Sequence, residues 1–472
     1  MSVRSLIAQL VVLASLGLGL TAPLKAEQLD TSFNGTGRYV YGDGELDFRA
    51  VATLPLPNGG TVAVFEFPTF PGFCSEQVCI GMVLFSANGA PIQVQSWAAS
   101  LVRVSAAAVD NSGRVVVVGQ TISGATGRNI SVSRFEPTNL AFDLQFAGGS
   151  GTRVISYNSL NEFPTAVAID REDRIVVVGS FALSATDTDY GVVRLRSNGT
   201  LDTDFALSGI RTIPFDLGPS TQLDQANAVA IANDGRILIA GVALDSAVSR
   251  FRIGIARLLP SGEYDTAFCA GGCAVGANLG FGSINGGRTV YYFGASTPHS
   301  DEALAIDTFG NGGFVVAGST LNDAGTSRRA AIARFGADGN YFTETLHDGL
   351  ANNAQFRSVR TVDATGTRIV VAGNSGPDSN YMLVQAFNSS LLPVAGFGNC
   401  LAGNSGFCLI IGSGLGDTGP DKGNSIAIDS SGRALFQGQG VDTPLDLPRI
   451  LSARFTNTSG PRRDLIFRNG MN

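Results

Sequence analysis

Residues 106–119 read AAAVDNSGRVVVVG, and residues 166–179 read AVAIDREDRIVVVG. Each stretch begins with a short segment of alternating small and apolar residues and ends in a run of β-branched residues. Between them lies a short polar segment that begins with Asp110 or Asp170. A carboxylate at that place can accept a hydrogen bond from the backbone two residues further on, which favours a tight turn. The pattern therefore predicts two antiparallel strands joined by a hairpin turn.

The same pattern recurs along the chain. Further copies occupy residues 228–241, 303–318, 359–373 and 425–438, and a weaker copy occupies residues 50–64. The seven copies are spaced by about 64 residues on average, which is in the size range of a propeller blade and far above that of a β-helix rung. Each copy is therefore expected to be one supersecondary unit that packs against its neighbours.

Each repeat continues with two more strand-like segments. A Leu-Asp-x-x-Phe connection, such as residues 201–205, separates the third segment from a fourth one, such as residues 209–215. Small residues stand two apart in the first segment, which suits the crowded region near an axis. We therefore predict an all-β fold, a seven-bladed β-propeller with four antiparallel strands in each blade. The third segment ends in arginine followed by Phe or Leu at Arg134, Arg194, Arg257, Arg334 and Arg454.

The two ends of the repeated region complement each other. Residues 29–33 and 37–41 match the connection and fourth strand of a unit, whereas residues 464–470 match a connection that lacks its fourth strand. We predict that residues 37–41 form the outermost strand of the last blade. This pairing would close the ring and remove two exposed sheet edges.

The repeat resembles the delta-60 repeat family of bacterial secreted β-propellers, whose function is uncharacterised. The resemblance rests on the pattern Ala-Val-Ala-x-x-x-x-Gly-Arg-Ile-Val-Val-x-Gly, followed by Ala-Arg-Phe-x-x-x-Gly and Leu-Asp-x-x-Phe, and it extends from about residue 29 to residue 467. It implies a propeller fold and secretion, and it supplies no catalytic residue.

The first 26 residues are typical of a signal peptide. Arg4 provides a basic start, residues 6–20 are an apolar run, and Ala26 ends a plausible cleavage site. We expect residues 27–472 to form a single propeller domain that is secreted or periplasmic. An uncleaved N-terminal anchor is the alternative, but residues 6–20 are short for a membrane span and no later apolar run is long enough.

Cysteine spacing agrees with an oxidising compartment. The six cysteines form three close pairs, for which we predict three disulfides: Cys74 with Cys79, Cys269 with Cys273, and Cys400 with Cys408. A zinc site would need four nearby Cys or His ligands, and the two histidines, His299 and His347, lack the spacing to supply them.

Composition excludes several classes of protein. With 44% hydrophobic and 15% charged residues, the chain can bury a core and is not disordered. Its net charge of −7 and the absence of a basic stretch argue against nucleic acid as a partner. Residues 414–419, GLGDTG, match a dinucleotide-binding pattern but precede a strand rather than a helix, so they predict a loop and no cofactor.

No constellation of residues predicts a catalytic or metal site. His299 and Asp301 lie close together without a nucleophile elbow, and we expect His299 to be exposed on a loop. The carboxylate pairs Asp187/Asp189 and Asp202/Asp204 could bind Ca²⁺ weakly, but we expect solvated turn acids. The Asp and Arg residues that recur in each repeat are explained by turn chemistry.

Two classes of loop should lie on the same face of the fold. One class connects the fourth strand of a unit to the first strand of the next unit, and the other connects the second strand of a unit to its third strand. Propellers often bind partners on such a face or at the channel mouth. We therefore predict a monomeric, non-enzymatic binding or scaffold module for an unknown protein or glycan. A hydrolase or lyase with carboxylates at the channel mouth is the first alternative, and a structural or adhesion element is the second. The candidate positions on the binding face are Asp43, Glu45, Asp47, Phe163, Tyr291, Tyr292 and His299.

Overall fold

The computed structural model confirms the all-β prediction. It describes residues 32–35, 38–41, 48–68, 78–123, 127–219, 222–270, 273, 286–294, 299–322, 324–347, 353–375, 381–394, 407–410, 422–442 and 447–455. The helical structure in these ranges is a single 3-10 turn, Ala147–Gly149. Within them, no helix has the length and apolar character to cross a membrane.

The first half of the chain contributes strands that pair mostly with their sequence neighbours. They are β1 (Arg38–Tyr41), β2 (Arg49–Pro55), β3 (Thr61–Pro68), β4 (Val78–Phe85), β5 (Pro91–Val109), β6 (Val115–Ser123), β7 (Gly127–Phe135), β8 (Thr152–Ile155), β9 (Glu162–Ile169), β10 (Ile175–Ala182), β11 (Asp187–Leu195), β12 (Ile210–Ile213), β13 (Gln222–Ile231) and β14 (Ile237–Asp245).

The second half continues the same order. Its strands are β15 (Arg250–Leu258), β16 (Arg288–Tyr291), β17 (Asp301–Thr308), β18 (Phe314–Leu321), β19 (Arg328–Phe335), β20 (Tyr341–His347), β21 (Gln355–Thr361), β22 (Arg368–Ser375), β23 (Tyr381–Asn388), β24 (Phe407–Ile410), β25 (Lys422–Ile428), β26 (Ala434–Asp442) and β27 (Leu447–Phe455).

These strands form several antiparallel sheets. Strands β2 to β8 follow one another in one sheet, in which the long strand β5 pairs with β4 on one side and with β6 on the other. Strands β9 to β16 form a second sheet, in which β11 and β13 make a short parallel contact at Asp187 and Thr188. Strands β17 to β20 and β21 to β24 form two four-stranded sheets.

The last sheet contains strands from both ends of the chain. Its order is β1-β27-β26-β25, so β1 lies at the edge of a sheet whose other strands come from the C-terminal repeat. Tyr39 of β1 lies opposite Ser452 of β27. The pairing predicted for residues 37–41 with the last repeat is therefore present over Arg38–Tyr41.

The hairpin turns have the chemistry predicted from the sequence. The Oδ1 atom of Asp110 accepts hydrogen bonds from the backbone N–H groups of Ser112 at 3.0 Å and Arg114 at 2.9 Å. Gly113 then adopts a φ of +83°, which a side chain would disfavour. Asp170 and Asp429 accept the same pair of backbone hydrogen bonds.

The repeated arginines do more than complete turns. Nε of Arg194 donates to Asp202 at 2.7 Å, and the guanidinium lies 4.6 Å from the ring centre of Phe205. Nη1 of the same side chain donates to the carbonyl of Pro260, in the turn after the third strand of the following repeat. The expectation that turn chemistry explains the arginines fully was wrong, because each also ties one repeat to the next. The equivalent Nη1 contacts run from Arg134 to Ser197, Arg257 to Ala337, Arg334 to Ser389 and Arg454 to Ala87.

The hydrophobic core lies between neighbouring sheets. Val178 of β10 and Ile239 of β14 belong to one buried cluster, and Ala372 of β22 and Phe436 of β26 belong to another. Apolar side chains on both faces of each sheet are therefore removed from water, which is the dominant favourable contribution to folding.

The described residues include one complete disulfide, between Cys269 and Cys273. Cys79 is also disulfide-bonded, while its predicted partner Cys74 lies outside the described residues. Cys400 lies outside them as well, and the structure describes only the backbone of Cys408. The pairings of Cys74 and Cys400 therefore stay predictions.

Candidate functional site

A channel of about 1060 Å³ passes between the first strands of the repeats. All seven of these strands, β2, β5, β9, β13, β17, β21 and β25, contribute lining residues. The small residues predicted near an axis are among them, including Ala52, Ala106, Ala166 and Ala228. Every repeat contributes to this described concavity, which makes it the candidate binding site.

A β-bulge in each first strand selects one channel-lining residue. Asn227 is such an extra residue, because Ala226 and Ala228 oppose consecutive residues of β14. Six of the seven bulge residues line the channel, and the side chain of the seventh, Asn424, lies outside the description. The six bulge residues that line the channel are Val51, Ser105, Thr165, Asn227, Leu304 and Arg357.

Glycine at the end of the second strand makes room for the bulge. A Cβ atom on Gly179 would lie 2.1 Å from the carbonyl oxygen of Phe163, and one on Gly241 would lie 2.0 Å from that of Gln225. A side chain at these positions would therefore collide with the displaced backbone of the first strand. The repeated Val-Val-Val-Gly ending is thus a structural requirement for the bulge.

Two bulge side chains also link adjacent first strands. Oγ1 of Thr165 donates to the carbonyl of Ala226 at 2.6 Å, and Nδ2 of Asn227 donates to the carbonyl of Ala303 at 2.8 Å. The channel wall is therefore held by hydrogen bonds between repeats as well as by packing. Bulges commonly re-aim side chains near binding sites in this way.

The charged residues of the lining are all arginines. They are Arg49, Arg103, Arg128, Arg357 and Arg360. No Asp, Glu or His is present among the lining residues that the structure describes. This is unexpected in a chain with 39 acidic and 32 basic residues.

One of the five arginines has a carboxylate partner within the described ranges. Arg49 pairs with Glu66 at 2.8 Å. Arg128 donates to the amide oxygen of Gln120 at 3.2 Å and lies 5.9 Å from the ring centre of Phe163. Positive charge in the channel is therefore only partly neutralised.

The other three arginines also have no ion pair in the described part of the chain, although the charge of Glu302 acts on Arg357. Arg357 donates from Nε to the amide oxygen of Asn374 at 2.8 Å, and desolvation lowers its pKa. Arg360 donates to a backbone carbonyl, and Arg103 is exposed. Each guanidinium has five N–H donors, so donors that these hydrogen bonds do not use can bind an anion.

The predicted binding-face residues differ in their exposure and in whether they line the channel. Phe163 is half-buried in the channel lining, beside Arg128. His299 is only 9% exposed, so the expectation of an exposed loop histidine was wrong. Asp43, Glu45 and Asp47 lie outside the described residues, and their role stays a prediction.

Tyr291 and Tyr292 are not exposed binding positions, since they are 2% and 4% exposed. Residues 288–291 form β16, which pairs with β15, and the Tyr291 hydroxyl donates to Glu344 on β20. The sequence suggested a loop here because a long insertion precedes the strand. These tyrosines belong to the core between two sheets.

The two predicted carboxylate pairs also differ. Asp202 is buried in its ion pair with Arg194, while Asp204 has an 84% exposed side chain. Asp189 is only 3% exposed, so it is not a solvated turn acid. It lies with Asp187 and Asp216 in a cluster of carboxylates.

Reasoning from the sequence missed the channel arginines. They occupy unrelated positions in three repeats, and their convergence depends on how the first strands surround the channel. A usable signal was present in the glycine at the end of each second strand, because an isolated glycine in a strand pattern indicates a bulge or a close backbone approach.

Comparison with known proteins supports a β-propeller family of unknown function. Residues 173–205 and 232–268 match a family described as "Domain of unknown function (DUF5122) beta-propeller". Each matched segment extends from a hairpin turn to the Phe of the Asp-x-x-Phe connection. No curated protein sequence matches the chain.

Solved structures resemble this chain at low sequence identity. A protein of unknown function from Dyadobacter fermentans is 11% identical, with 90% of this chain and 98% of that chain covered and a TM-score of 0.41. The β-propeller domain of the Trilobed protease from Pyrococcus furiosus is 8% identical, with 89% and 98% covered and a TM-score of 0.42. A polysaccharide lyase described as an ulvan lyase is 11% identical, with 86% and 93% covered and a TM-score of 0.49.

Proposed function

We propose that the chain is a secreted, non-enzymatic binding module that takes an anionic glycan at the arginine-lined mouth of its central channel. Residues 27–472 form one domain in this proposal, a closed seven-bladed propeller. The single observation that carries the function is the lining itself, which has five arginines and no acidic residue among the described positions.

Contacts between successive repeats support the closed ring. Thr53 of β2 donates its backbone N–H to Oγ of Ser425 on β25, at 3.3 Å, which joins the first repeat to the last. Nη1 of Arg454 donates to the carbonyl of Ala87 at 2.6 Å, across the same junction. The last repeat thus contacts the first with the arginine contact that joins internal neighbours. Such a ring leaves few open sheet edges.

Electrostatics favour an anion in this channel. Several guanidinium groups share a concave, partly desolvated space, where a low local dielectric strengthens their attraction for negative charge. Guanidinium also binds carboxylate and sulfate through two parallel hydrogen bonds. The anion would supply the direct ion pair that four of the five arginines lack among the described residues.

A glycan suits the shape and remaining chemistry of the mouth. Phe163 offers a half-buried ring beside Arg128, and Gln120, Gln225 and Asn227 offer amide groups for hydroxyls. An apolar face with a few polar groups around it is typical of sites for uncharged parts of small ligands. A chain of sugars that carries carboxylate or sulfate combines both requirements.

The enzyme alternative requires carboxylates or histidine at the channel mouth. No Asp, Glu or His is among the described lining residues to supply them. The adhesion alternative requires no defined ligand. Both alternatives are outcomes of the experiment below.

The test is calorimetric titration of the full mature chain with polygalacturonate and dextran sulfate, with neutral dextran as the reference. We expect saturable binding of the acidic polymers that weakens with salt. Arg103→Glu and Arg357→Glu should each weaken binding by about tenfold or more, as expected for a lost charge-assisted hydrogen bond.

Arg171→Glu is the matched control, since this exposed arginine lies in a hairpin turn and does not line the channel. Equal loss of affinity in this variant would refute the channel as the site. Depolymerisation of either acidic polymer would favour the enzyme alternative. Absence of binding to all three polymers would refute the proposed glycan binding and would favour the adhesion alternative.

A further inference from the structure

We infer that Asp187, Asp189 and Asp216 form a Ca²⁺ site that joins two loops on the face of the channel mouth. This inference is independent of the proposed glycan binding. It also goes beyond the sequence analysis, which predicted no metal site.

Three loop and strand-end positions bring the carboxylates together. Asp187 begins β11, Asp189 is two residues further along it, and Asp216 lies in the connection between β12 and β13. One carboxylate oxygen from each lies within 4.8 Å of the other two. Two oxygens bound to one Ca²⁺ at about 2.3–2.6 Å can be at most about 5 Å apart, so the spacing fits a shared ion.

The burial of Asp189 is a second observation, beside the spacing of the carboxylates, that points to a bound cation. Asp189 is 97% buried, with 3% exposure, and its carboxylate has no hydrogen-bond donor in the described part of the chain. An ionised carboxylate in that environment is largely removed from water with no described donor to compensate, which is costly. A bound cation would supply the missing partner.

A fourth carboxylate adds to the negative charge. Asp224 on β13 is fully buried, and one of its oxygens accepts the Phe215 N–H at 2.7 Å while the other has no hydrogen-bond partner. The positive charge of Arg288 acts on Asp189, but Nη1 of Arg288 donates to the carbonyl of Pro214.

The donor set selects the kind of ion. All three ligands are carboxylate oxygens, with no Cys or His in the cluster, so a hard cation is favoured over zinc or copper. Ca²⁺ accepts several carboxylates in a flexible arrangement, whereas Mg²⁺ requires near-ideal octahedral geometry and retains its water. We therefore assign the site to Ca²⁺.

The position of the site suggests a structural role. β11 and β13 meet in a short parallel contact at Asp187 and Gln222, where two successive repeats adjoin. An ion held by β11 and by the connection that leads into β13 would fasten this junction. Loss of the ion should therefore lower stability without unfolding the chain.

The experiment uses the full mature chain after EDTA treatment. Titration with CaCl₂ should show saturable binding to one site, weaker with MgCl₂, and Ca²⁺ at about one hundred times its Kd should raise the melting temperature by roughly 3 °C. Asp216→Asn removes an exposed ligand and should abolish both effects. The exposed Asp204→Asn is the matched control and should leave them unchanged.

Asp189→Asn gives an independent reading, because removal of an unpartnered buried charge should not destabilise the metal-free chain. In EDTA this variant should melt at or above the wild-type temperature, and Ca²⁺ should no longer raise it. Absence of saturable Ca²⁺ binding by the wild type, full binding by Asp216→Asn, or tighter binding of Mg²⁺ would each overturn the assignment.

Discussion

Arg194 illustrates how much one repeated side chain contributes. It neutralises Asp202, lies against the ring of Phe205 and donates to the next repeat through Pro260. Its side chain and that of Asp202 are both 3% exposed, so neither charge is solvated. Removal of one partner from such a pair leaves the other charge buried and uncompensated.

We expect Arg194→Gln to lower the free energy of unfolding by about 3 kcal/mol, measured by urea denaturation. The neighbouring Arg196 also contacts Asp202, at 3.2 Å, but its side chain is 47% exposed. Arg196→Gln should therefore cost less than about 1 kcal/mol. Equal losses in the two variants would contradict the role assigned to Arg194.

Asp301, at the start of β17, should make stability depend on pH. Burial, with a smaller contribution from the charge of Glu344, raises the pKa of Asp301 to about 8 from a usual value of 3.8, against the opposing charge of Arg252. The folded chain therefore favours the protonated acid. That stabilisation is complete below about pH 4 and is lost as the pH rises towards and through 8.

The test compares the wild type with Asp301→Asn, which cannot ionise. The variant should gain stability relative to the wild type as the pH is raised from 5 to 8, by chemical denaturation at each pH. Asp204→Asn, at an exposed position, serves as the control. A free-energy difference for Asp301→Asn that stays constant over this range would show that the acid is not perturbed.

At the scale of strands, sequence patterns predicted the turns and strands whose formation depends on residues close together in the chain. The hairpin turn from Asp110 to Gly113 has the hydrogen bonds and the positive φ that its residues favour. The alternating first strand and the β-branched second strand are present as β9 and β10. These features are local, so propensity and turn chemistry were sufficient.

Features that depend on register or on contacts between repeats were not predicted. The bulge at Thr165 arises from how β9 pairs with β10, and the Arg194 contact with Pro260 arises from how two repeats pack. The burial of Tyr291 likewise depends on its pairing with Ile253. No single segment of sequence contains that information, which explains why the channel lining was missed.

If glycine makes room for the bulge, two glycine substitutions should differ in their cost to stability. In Gly179→Ala the new Cβ would lie 2.1 Å from a backbone carbonyl oxygen, so the first strand must shift. We expect a loss of about 3 kcal/mol or more in the free energy of unfolding, in the range of severe overpacking. Thermal or urea unfolding would measure it.

Gly325→Ala is the comparison, because Gly325 has a φ of +67° but no atom near the new Cβ. Its cost should be limited to about 1–2 kcal/mol of left-handed backbone strain. A Gly179→Ala variant as stable as Gly325→Ala would mean that the bulge is not held by the glycine.

At the scale of the whole molecule, the two ends of the described chain share one sheet. Each repeat carries contacts to the next, and β1 supplies an edge strand to the sheet of β25, β26 and β27. The arginine-lined channel exists only if the first strands surround a common space. Closure and ligand binding are therefore linked in this proposal.

The most direct measurement is the association state and melting temperature of a mature chain that lacks residues 27–42. We expect this chain to unfold or to self-associate through the exposed edge of β27, and to lose affinity for polygalacturonate. A synthetic peptide of residues 27–42 should restore the monomer by adding back the missing strand. A truncated chain that stays monomeric, melts at the same temperature and binds the polymer unchanged would contradict the closed ring.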